Sequence, residues 1–308
     1  MEYMKMGGSL LILIVCVLIS VAFVTLMEQK ILGSGQVRIG PNYVGYWGLL
    51  QPFSDAVKLF TKESMNLKDG NILMYYMAPI FSLTFSLILW LLVPFSEGGL
   101  DFMLGVMFFI CVSGLGLYPI LGSGWSSNCK YSMLGSLRAV SQMVSYEVSL
   151  MVILLALVWM TNSFNLSELL MSQNNMMNII MFFPLGLIWM ISSLAETNRN
   201  PYDFAEGESE LVSGFNTEYS AGGFTLIFMA EYASILFMSF FFCLLFLGGG
   251  KLSLILMLKT MVIGFWFVWV RGIMPRYRYD KLMYLAWKSF LPISLSFFVF
   301  YLGIGFIV

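Results

Sequence analysis

Long uninterrupted runs of apolar residues dominate the chain and are separated by shorter polar segments. A helix that crosses a bilayer needs roughly 20 apolar residues to span a hydrocarbon core of about 30 Å. Eight runs are long enough, at about 7–27, 72–95, 102–125, 140–161, 176–195, 222–247, 252–270 and 283–308. Barrel strands would instead be about ten residues long with alternating polarity. The pattern therefore predicts an all-α polytopic membrane protein with eight transmembrane helices in one membrane domain, 1–308.

The segments between these runs are of two kinds, and the difference predicts an orientation. The short, nearly uncharged segments are 96–101, 162–175 and 248–251. The long, charged segments are 28–71, 126–139, 196–221 and 271–282. With the flanking Lys288, the charged set holds thirteen of the 16 Lys and Arg residues. Because basic loops stay on the inner side of a membrane, we expect the charged loops inside and both termini outside.

Composition narrows the class of protein further. Of the 308 residues, 59% are hydrophobic and 11% are charged, far from the values of a soluble domain. The chain has no His, which excludes histidine-ligated haem and histidine-bound metals, and its four Cys residues fit no cluster spacing. We therefore expect no metal site. The net charge of −1 gives no basic surface for nucleic acid. The 24 Met and 28 Phe favour synthesis inside an organelle, and a bacterial inner membrane is the alternative that composition alone leaves open.

One polar segment, WGLLQPFSDAVKLFTKE at 47–63, is too short and too charged to span a membrane. Its apolar residues after Pro52 recur near helical spacing, and Asp55, Lys58 and Lys62 occupy much of the opposite face. Such a pattern predicts an amphipathic helix at the membrane interface. A plain surface helix at the bilayer edge fits the pattern equally well, but the Gly-rich ILGSGQVRIGPN that precedes it, with Arg38, favours a functional element.

The segment 196–210, ETNRNPYDFAEGESE, breaks the basic character of the inner face. It carries one basic residue, Arg199, and five carboxylates: Glu196, Asp203, Glu206, Glu208 and Glu210. In a confined site, repulsion and desolvation would make such carboxylates titrate as a coupled set. A solvated acidic loop is the alternative interpretation. We predict a structured acidic loop on the inward side.

Two further carboxylates lie inside apolar runs. Glu147 and Glu231 are each eight or nine residues from the inward end of a predicted span, which is about 12–13 Å at 1.5 Å per residue. Ionisable groups at such depth are costly and usually face a polar cavity or a proton pathway. The alternative is a structural ion pair with Arg138 or Lys130. Together with the acidic segment, these residues predict a carboxylate-lined route from the inner face toward the middle of the membrane.

A basic segment, RGIMPRYRYDKLMYLAWK, precedes the last span. Lys281 and Lys288 fit simple anchoring on the inner side. Arg271, Arg276 and Arg278 alternate with Tyr and Asp, a mixture that suits ion pairs with an acidic neighbouring loop or a docked protein.

These motifs, read together, resemble a known family. LMEQKILG, QVRIGPN, QPFSDAVKLFTKE, LRAVSQMVSYEVSL, LAETNRNPYDFAEGESELVSGFNTEYS, FMAEYASI and RGIMPRYRYDKLMYLAWK are similar to the chain 1 family of mitochondrial NADH–ubiquinone oxidoreductase, respiratory complex I. The resemblance runs almost end to end. It implies a multi-pass subunit of the mitochondrial inner membrane, with charged loops facing the matrix, that forms much of the quinone chamber. Ubiquinone would be the substrate, and NADH, FMN and iron–sulfur clusters would belong to partner subunits.

The resemblance also implies roles for individual residues. The residues that would border the quinone entrance are Arg38, Phe53, Asp55, Ala56, Lys58, Phe224 and Phe228. The carboxylates that would form the proton-linked path are Glu147, Glu196, Glu206, Glu208, Glu210 and Glu231. Their charge partners would be Arg138, Arg199, Asp203 and Arg278. Implied protein partners are hydrophilic quinone-module subunits on the inner face and antiporter-like membrane subunits, within the lipid bilayer.

The chain departs from the family pattern at two positions, Gln29 and Ile39, where basic residues are usual, so two positive charges of the pattern are missing here. Three other classes of protein are alternatives. A secondary proton or cation transporter also buries carboxylates, but it usually shows paired repeats and broken helices, which we do not find. A passive anchor would have no reason to keep Glu147 and Glu231 in apolar surroundings, and a cytochrome-b-like quinone enzyme is excluded by the absence of His.

Overall fold

The computed structural model describes residues 2–65, 67–68, 70–94, 100–174, 176–248 and 254–307, and within these ranges it describes the side chains of all but 2–6, 208–209 and 307. All regular structure in this part of the chain is helical, which confirms the predicted class. The α-helices are α1 Glu2–Gly35, α2 Gln51–Thr61, α3 Ile72–Leu89, α4 Gly105–Leu115, α5 Leu117–Ser126, α6 Lys130–Thr161, α7 Leu166–Ser172, α8 Asn178–Met181, α9 Phe183–Glu196, α10 Glu208–Leu211, α11 Ala221–Phe242, α12 Leu254–Ile273, α13 Tyr279–Leu285 and α14 Leu291–Ile307. Short 3₁₀ turns occur at Tyr46–Gly48, Trp90–Leu92 and Gly214–Asn216, and π-helical turns at Cys243–Leu247 and Ala286–Phe290.

Seven helical segments among the described residues are long and apolar enough to cross a membrane. They are Gly7–Gly35, Ile72–Leu92, Gly105–Ser126, Lys130–Thr161, Ala221–Leu247, Leu254–Ile273 and Tyr279–Phe306. The run predicted as a span at 176–195 forms α8 and α9 instead of one long helix, and α9 has only 14 residues. The predicted number of eight spans is therefore not confirmed.

Several boundaries differ from the prediction. The predicted charged linker 126–139 is helical from Lys130 onward, so α6 begins ten residues before the predicted span. The beginning of α6 carries small side chains (Ser132, Gly135, Ser136 and Ala139) that are buried, and small residues let membrane helices approach closely. Glu147 consequently lies about 25 Å along α6 from its beginning, at 1.5 Å per residue, rather than 12–13 Å.

Two of the predicted linkers contain helix as well. α1 continues to Gly35, beyond the predicted end of the first span at residue 27. The predicted linker 162–175 contains α7, whose first turn is capped by the side-chain oxygen of Asn165, which accepts a hydrogen bond from the backbone N–H of Ser167 at 3.0 Å. The amphipathic pattern at 47–63 forms α2, as predicted, with Pro52 in its first turn.

The bundle is centred on α11 and α6. The share of buried residues was compared over the most apolar stretch of each crossing segment. It is 72% for Ala221–Leu247 and 50% for Lys130–Thr161, and 17–33% for the other five segments. α11 packs against α1, α3 and α12, while α6 packs against α5, α9 and α14. α11 also packs against α4, where the rings of Phe241 and Phe109 lie with centroids 4.4 Å apart. Polar residues on α11 and α6 are therefore enclosed by other helices.

Candidate functional site: a buried charge cluster and the quinone-entrance helix

The acidic segment 196–210 is held against α6 by backbone contacts. Gly214 has φ +57°, and a Cβ there would lie 1.7 Å from the carbonyl oxygen of Ala205. A Cβ at Gly135 on α6 would lie 2.9 Å from the Cα of Gly214. In addition, the amide of Gln142 donates hydrogen bonds of 2.8 Å to the carbonyl oxygens of Ala195 and Tyr202. The loop is thus a folded part of the bundle and not a solvated chain.

Asp203 anchors this loop to the basic segment before α13. Its carboxylate oxygen Oδ2 lies 3.0 Å from Nη2 of Arg276, and Oδ1 accepts a hydrogen bond from the backbone N–H of Glu206 at 3.3 Å. Burial raises the pKa of Asp203, while the Arg276 guanidinium and the backbone donor act in the opposite direction. The ion pair confirms the predicted pairing of the basic segment with an acidic neighbouring loop, with Arg276 as the partner.

Five side chains from four parts of the chain form what we call the Arg199 cluster: Glu28, Arg199, Glu231, Tyr232 and Arg271. Glu28, near the end of α1, is only 5% exposed. It is ion-paired with Nη1 of Arg271 on α12 and accepts a 2.5 Å hydrogen bond from the hydroxyl of Tyr232. Nη1 of Arg199 lies 3.9 Å from Oε1 of Glu28, and Nη2 lies 3.8 Å from Oε2 of Glu231.

The guanidinium of Arg199 also stacks on an aromatic ring, with its Cζ 4.3 Å from the centroid of Tyr232. Burial lowers the pKa of Arg199, but nearby Tyr232, Glu231, Glu28 and Glu206 together raise it, so the residue stays charged. Its atoms Nε and Nη2 are buried without a hydrogen-bond partner among the described residues. The cluster therefore contains a permanent cation among carboxylates, with donor positions that water can fill.

Glu196 and Glu231 line the same small cavity of about 120 Å³. Met143 of α6 and the serines Ser113 and Ser234 line the same space. Oε2 of Glu196 is buried and has no hydrogen-bond partner among the described residues. Since buried polar atoms are normally satisfied by protein or by ordered water, this cavity offers room for a few water molecules between the two carboxyl groups.

Glu147 lies near the same cavity, and its carboxyl group lies beside the junction of α4 and α5. Its Oε1 is 3.2 Å from the position that a Cβ on Gly114 would occupy, and α4 and α5 join at the following Gly116. The absence of a side chain at Gly114 leaves room for the carboxyl group. No ion pair joins Glu147 to Arg138 or Lys130 in the described part of the chain, so the structural pairing considered above is not formed.

Other predicted site residues lie at the surface. Arg138 pairs with Glu210 through Nη1 and Oε2 at 2.6 Å, and both side chains are partly exposed. Arg278 pairs with Asp280 at 2.9 Å, where the side chains are 77% and 69% exposed, so it does not reach the acidic segment. Glu206 accepts a 3.3 Å hydrogen bond from Asn216. The side chain of Glu208 lies outside the described residues.

The predicted quinone-entrance residues gather where α2 lies against α1 and α11. The ring of Phe53 packs edge-on against Phe23 of α1 at 6.1 Å, and Phe224 and Phe228 of α11 pack together at 4.3 Å. On α2, Asp55 accepts a 2.9 Å hydrogen bond from Gln51, Ala56 is half-buried and Lys58 is exposed.

Arg38 lies in the loop between α1 and α2, is exposed, and donates to Gln36 at 2.8 Å. The structure thus brings the residues of α2 beside α11 but leaves Arg38 at the loop surface. Of the Arg199 cluster, the sequence analysis missed Tyr232, although it follows Glu231 directly. Arg271 was expected to pair with an acidic loop or a docked protein, not with Glu28, which ends the first apolar run.

Comparison with known proteins defines the class to which this arrangement belongs. A family model described as NADH dehydrogenase matches residues 8–302. NADH-ubiquinone oxidoreductase chain 1 of Aedes aegypti is 56% identical over 305 residues, covering 99% of this chain and 97% of that protein. The protein of the same name from Locusta migratoria is 54% identical over 297 residues, and that from Osphranter rufus is 48% identical over 303 residues. Each of these two alignments covers 96% of this chain and 95% of the other protein.

The fold and the comparisons together define an oxidoreductase subunit embedded in a membrane. The chain belongs to the NADH dehydrogenase family and is a core membrane subunit of respiratory complex I, a multi-pass protein of the mitochondrial inner membrane.

Proposed function

We propose that this subunit forms the entrance and wall of the ubiquinone chamber of complex I and links quinone reduction to proton movement through its buried carboxylates. The observation that carries the proposal is the Arg199 cluster. It joins α1 and α12, next to the quinone-entrance helix, to Glu231, which lines the cavity shared with Glu196. A change of charge near Glu28 or Arg199 would alter the protonation of the carboxylates beyond them, because buried charges interact strongly.

An isoprenoid quinone needs an apolar slot for its tail and polar groups for its head. The contact of α2 with α1 and α11 supplies both. α2 carries Phe53, which packs on Phe23 of α1, together with the polar Asp55 and Lys58, and α11 carries Phe224 and Phe228. We therefore place the quinone entrance between these three helices.

The inner face is also where we place the hydrophilic quinone-module subunits. Several apolar side chains between α1 and α2 are strongly exposed: Val37 at 96%, Ile39 at 84%, Tyr43 at 100% and Tyr46 at 78%. An exposed apolar patch of this kind marks a contact surface. In this arrangement the charged loops face the matrix. The hydrophilic partner subunits hold NADH, FMN and the iron–sulfur clusters, and antiporter-like subunits receive the coupled protons.

A proton or cation transporter was the alternative function. The near full-length similarity to chains of NADH-ubiquinone oxidoreductase favours the complex I subunit, and so does the position of the carboxylates next to α2.

The quinone entrance is tested by Ala56→Phe in the assembled complex. A bulky ring at this half-buried position would narrow the slot between α2 and its neighbours, so the apparent KM for long-chain quinone should rise about tenfold, which corresponds to 1.4 kcal/mol of lost binding. NADH oxidation by artificial acceptors should stay normal. Ser54→Phe, on the exposed side of α2, is the matched control. Equal loss of both activities in Ala56→Phe would indicate an assembly defect and contradict the proposal.

The proton link is tested by Glu231→Gln, which keeps shape and hydrogen bonding but removes the titratable group. In a tightly coupled enzyme, quinone reductase activity and proton pumping should fall together, by about 100-fold if Glu231 carries a general acid–base step. Glu168→Gln, at an exposed position of α7, is the control and should leave both activities unchanged. Glu208→Gln is expected to act like Glu231→Gln. Normal activity and pumping in both Glu231→Gln and Glu208→Gln would overturn the proposed proton link.

A further inference from the structure

The serine hydroxyls in the wall of the cavity beside Glu196 and Glu231 bond to their own helices. Each donates to the backbone carbonyl oxygen three residues earlier, at 2.7–3.0 Å, and these serines are Ser82, Ser86, Ser113, Ser123 and Ser234. The hydroxyl of Thr197 is used in a similar way, since it donates to the carbonyl oxygen of Ser193 at 3.0 Å. A water molecule in the cavity therefore finds acceptors in this wall, but these hydroxyls give it no proton.

Asn198 supplies a further acceptor. The residue lines the cavity two positions after the end of α9, and its side-chain oxygen Oδ1 is buried without a hydrogen-bond partner among the described residues. Oε2 of Glu196, in the wall of the same cavity, is also buried without one. Buried acceptors are normally satisfied by protein or by ordered water, and a water molecule has two protons to donate, one for each oxygen.

The backbone and α6 together fix the side chain of Asn198. Its φ of +50° lies in the left-handed region, which Asn adopts more readily than most residues, and its N–H donates to the carbonyl oxygen of Ala195 at 3.3 Å. The amide nitrogen Nδ2 donates to Sδ of Met143 on α6 at 3.5 Å. A thioether sulfur accepts but cannot donate, so this contact selects the amide orientation that leaves Oδ1 available to the cavity.

We propose that Asn198 is a positioning residue for proton transfer in this cavity, because its Oδ1 holds a water molecule between Glu196 and Glu231. The water donates one O–H to Asn198 and the other to Glu196. When Glu231 is protonated and Glu196 is not, the water accepts the proton of Glu231 and passes its own proton to Glu196, so that the water is unchanged. The O–H bonded to Asn198 keeps the water in place throughout.

The amide is well suited to this task because it is neutral. Its oxygen accepts a hydrogen bond but does not take up the proton at physiological pH, whereas a carboxylate at this position would compete for the proton. The inference rests on the proton link proposed above and names the residue that orients the water within it.

Asn198→Gly in the assembled complex removes the acceptor and keeps a residue that adopts this backbone conformation without strain. Turnover at saturating quinone should fall by about 10- to 100-fold, because misplacing a reacting group by about 1 Å can cost that much. The apparent KM for quinone should stay unchanged, since α2 is not altered. The ratio of the rates in water and in heavy water should rise, because proton transfer becomes the slow step.

Asn162→Gly is the matched control. Asn162 also has a left-handed backbone, with φ +52°, but it follows the end of α6 and is exposed, so turnover and the rate ratio should stay normal. A rate ratio in Asn198→Gly equal to that of this control would overturn the proposal, since a merely structural defect slows the reaction equally in water and in heavy water. NADH oxidation by artificial acceptors monitors assembly of each variant.

Met143→Leu tests the orientation of the amide without altering Asn198. Leucine keeps the approximate volume of the side chain but offers no acceptor, so the amide can turn its NH2 group toward the cavity. The rate ratio should again rise, and turnover should fall about threefold, which corresponds to the loss of one weak hydrogen bond. Normal turnover of Asn198→Gly and Met143→Leu beside an impaired Glu231→Gln would overturn the role of Asn198 alone, whereas a fully active Glu231→Gln would overturn the proton link itself.

Discussion

Arg199 is the residue on which the buried charges of this subunit converge. It lies just after α9, outside the long helices, yet it reaches Glu28 of α1 and Glu231 of α11 and stacks on Tyr232. A cation that is shared between two carboxylates lets one of them change its charge while the other remains paired. This geometry is suited to a site whose charge varies during turnover.

Removing the Arg199 guanidinium should destabilise the complex far more than removing an exposed cation. Arg199→Met would leave two enclosed carboxylates without their shared partner, and loss of one member of a buried charge pair costs about 3–5 kcal/mol. We expect a marked fall in the dissociation temperature of the complex, measured by thermal melting in mild detergent.

Arg278→Met is the matched control for this prediction. Its pair with Asp280 is largely exposed, and exposed pairs contribute about 0–1 kcal/mol. If the two variants melted at the same temperature, the Arg199 cluster would have no special role in stability.

At the residue scale, the sequence identified most of the carboxylates but not all of their partners. A charged residue inside an apolar run stands out, which is why Glu147 and Glu231 could be found. Arg271 was expected to pair with an acidic neighbouring loop or a docked protein, but packing of α12 against α1 brings it to Glu28 instead. Arg278, for which the expectation was the same, pairs with the exposed Asp280 next to it.

At the scale of elements, the segment between α1 and α2 is held by close backbone contacts. Gly48 has φ +72°, and a Cβ there would lie 2.2 Å from the carbonyl oxygen of Pro41. Nζ of Lys30 on α1 donates a 2.7 Å hydrogen bond to the carbonyl oxygen of Trp47. These contacts fix where α2 begins and therefore how it lies against α11.

Gly48→Ala should therefore disturb the quinone entrance from a distance. An alanine would be strained at this φ and would push the chain away from Pro41, at a cost of about 1–3 kcal/mol. We expect the apparent KM for long-chain quinone to rise several-fold with little change in NADH oxidation by artificial acceptors.

Gly35→Ala provides the comparison for this variant, because no heavy atom lies within 4 Å of a Cβ at that position. An unchanged KM in Gly48→Ala, or an equal rise in both variants, would mean that this turn does not position α2.

Helix boundaries were the least predictable feature at this scale. Hydropathy located the apolar part of each helix but not its polar extension, as α6 shows by starting at Lys130. Small side chains of this extension, Ser132, Gly135 and Ser136, are buried against neighbouring elements, so tertiary packing holds the helix where the sequence looks like a loop. Likewise, Phe182 and Pro184 divide the run 176–195 into α8 and α9.

For the whole molecule, α11 and α6 are the most buried of the crossing helices, and they carry Glu231 and Glu147, the two carboxylates that lie well inside crossing segments. Most of the other crossing helices expose broad apolar surfaces that fit lipid or neighbouring subunits, whereas Glu147 and Glu231 are partly shielded by protein on several sides. The apolar pattern predicted the class and most of the helices. It could not predict which helices would be central, because all of them are apolar enough to be buried.

Orientation is a property of the entire chain, and it gives the last prediction. Because thirteen of 16 basic residues belong to one set of loops, that set should face the matrix, and the segment between α3 and α4 should face the opposite side. Met103 is 84% exposed in that segment, and Met65 is 56% exposed on the basic side. In mitoplasts, an impermeant maleimide should therefore label Met103→Cys but not Met65→Cys.

In inside-out particles from which the hydrophilic partners have been washed, the maleimide should label Met65→Cys but not Met103→Cys. The unaltered chain, with its exposed Cys16 and Cys111, supplies the background labelling for both preparations. If Met65→Cys were labelled in mitoplasts and Met103→Cys were not, the charged loops would lie outside the matrix. The quinone entrance would then have to be placed on the opposite side of the membrane, since α2 and Met65 belong to the same loop.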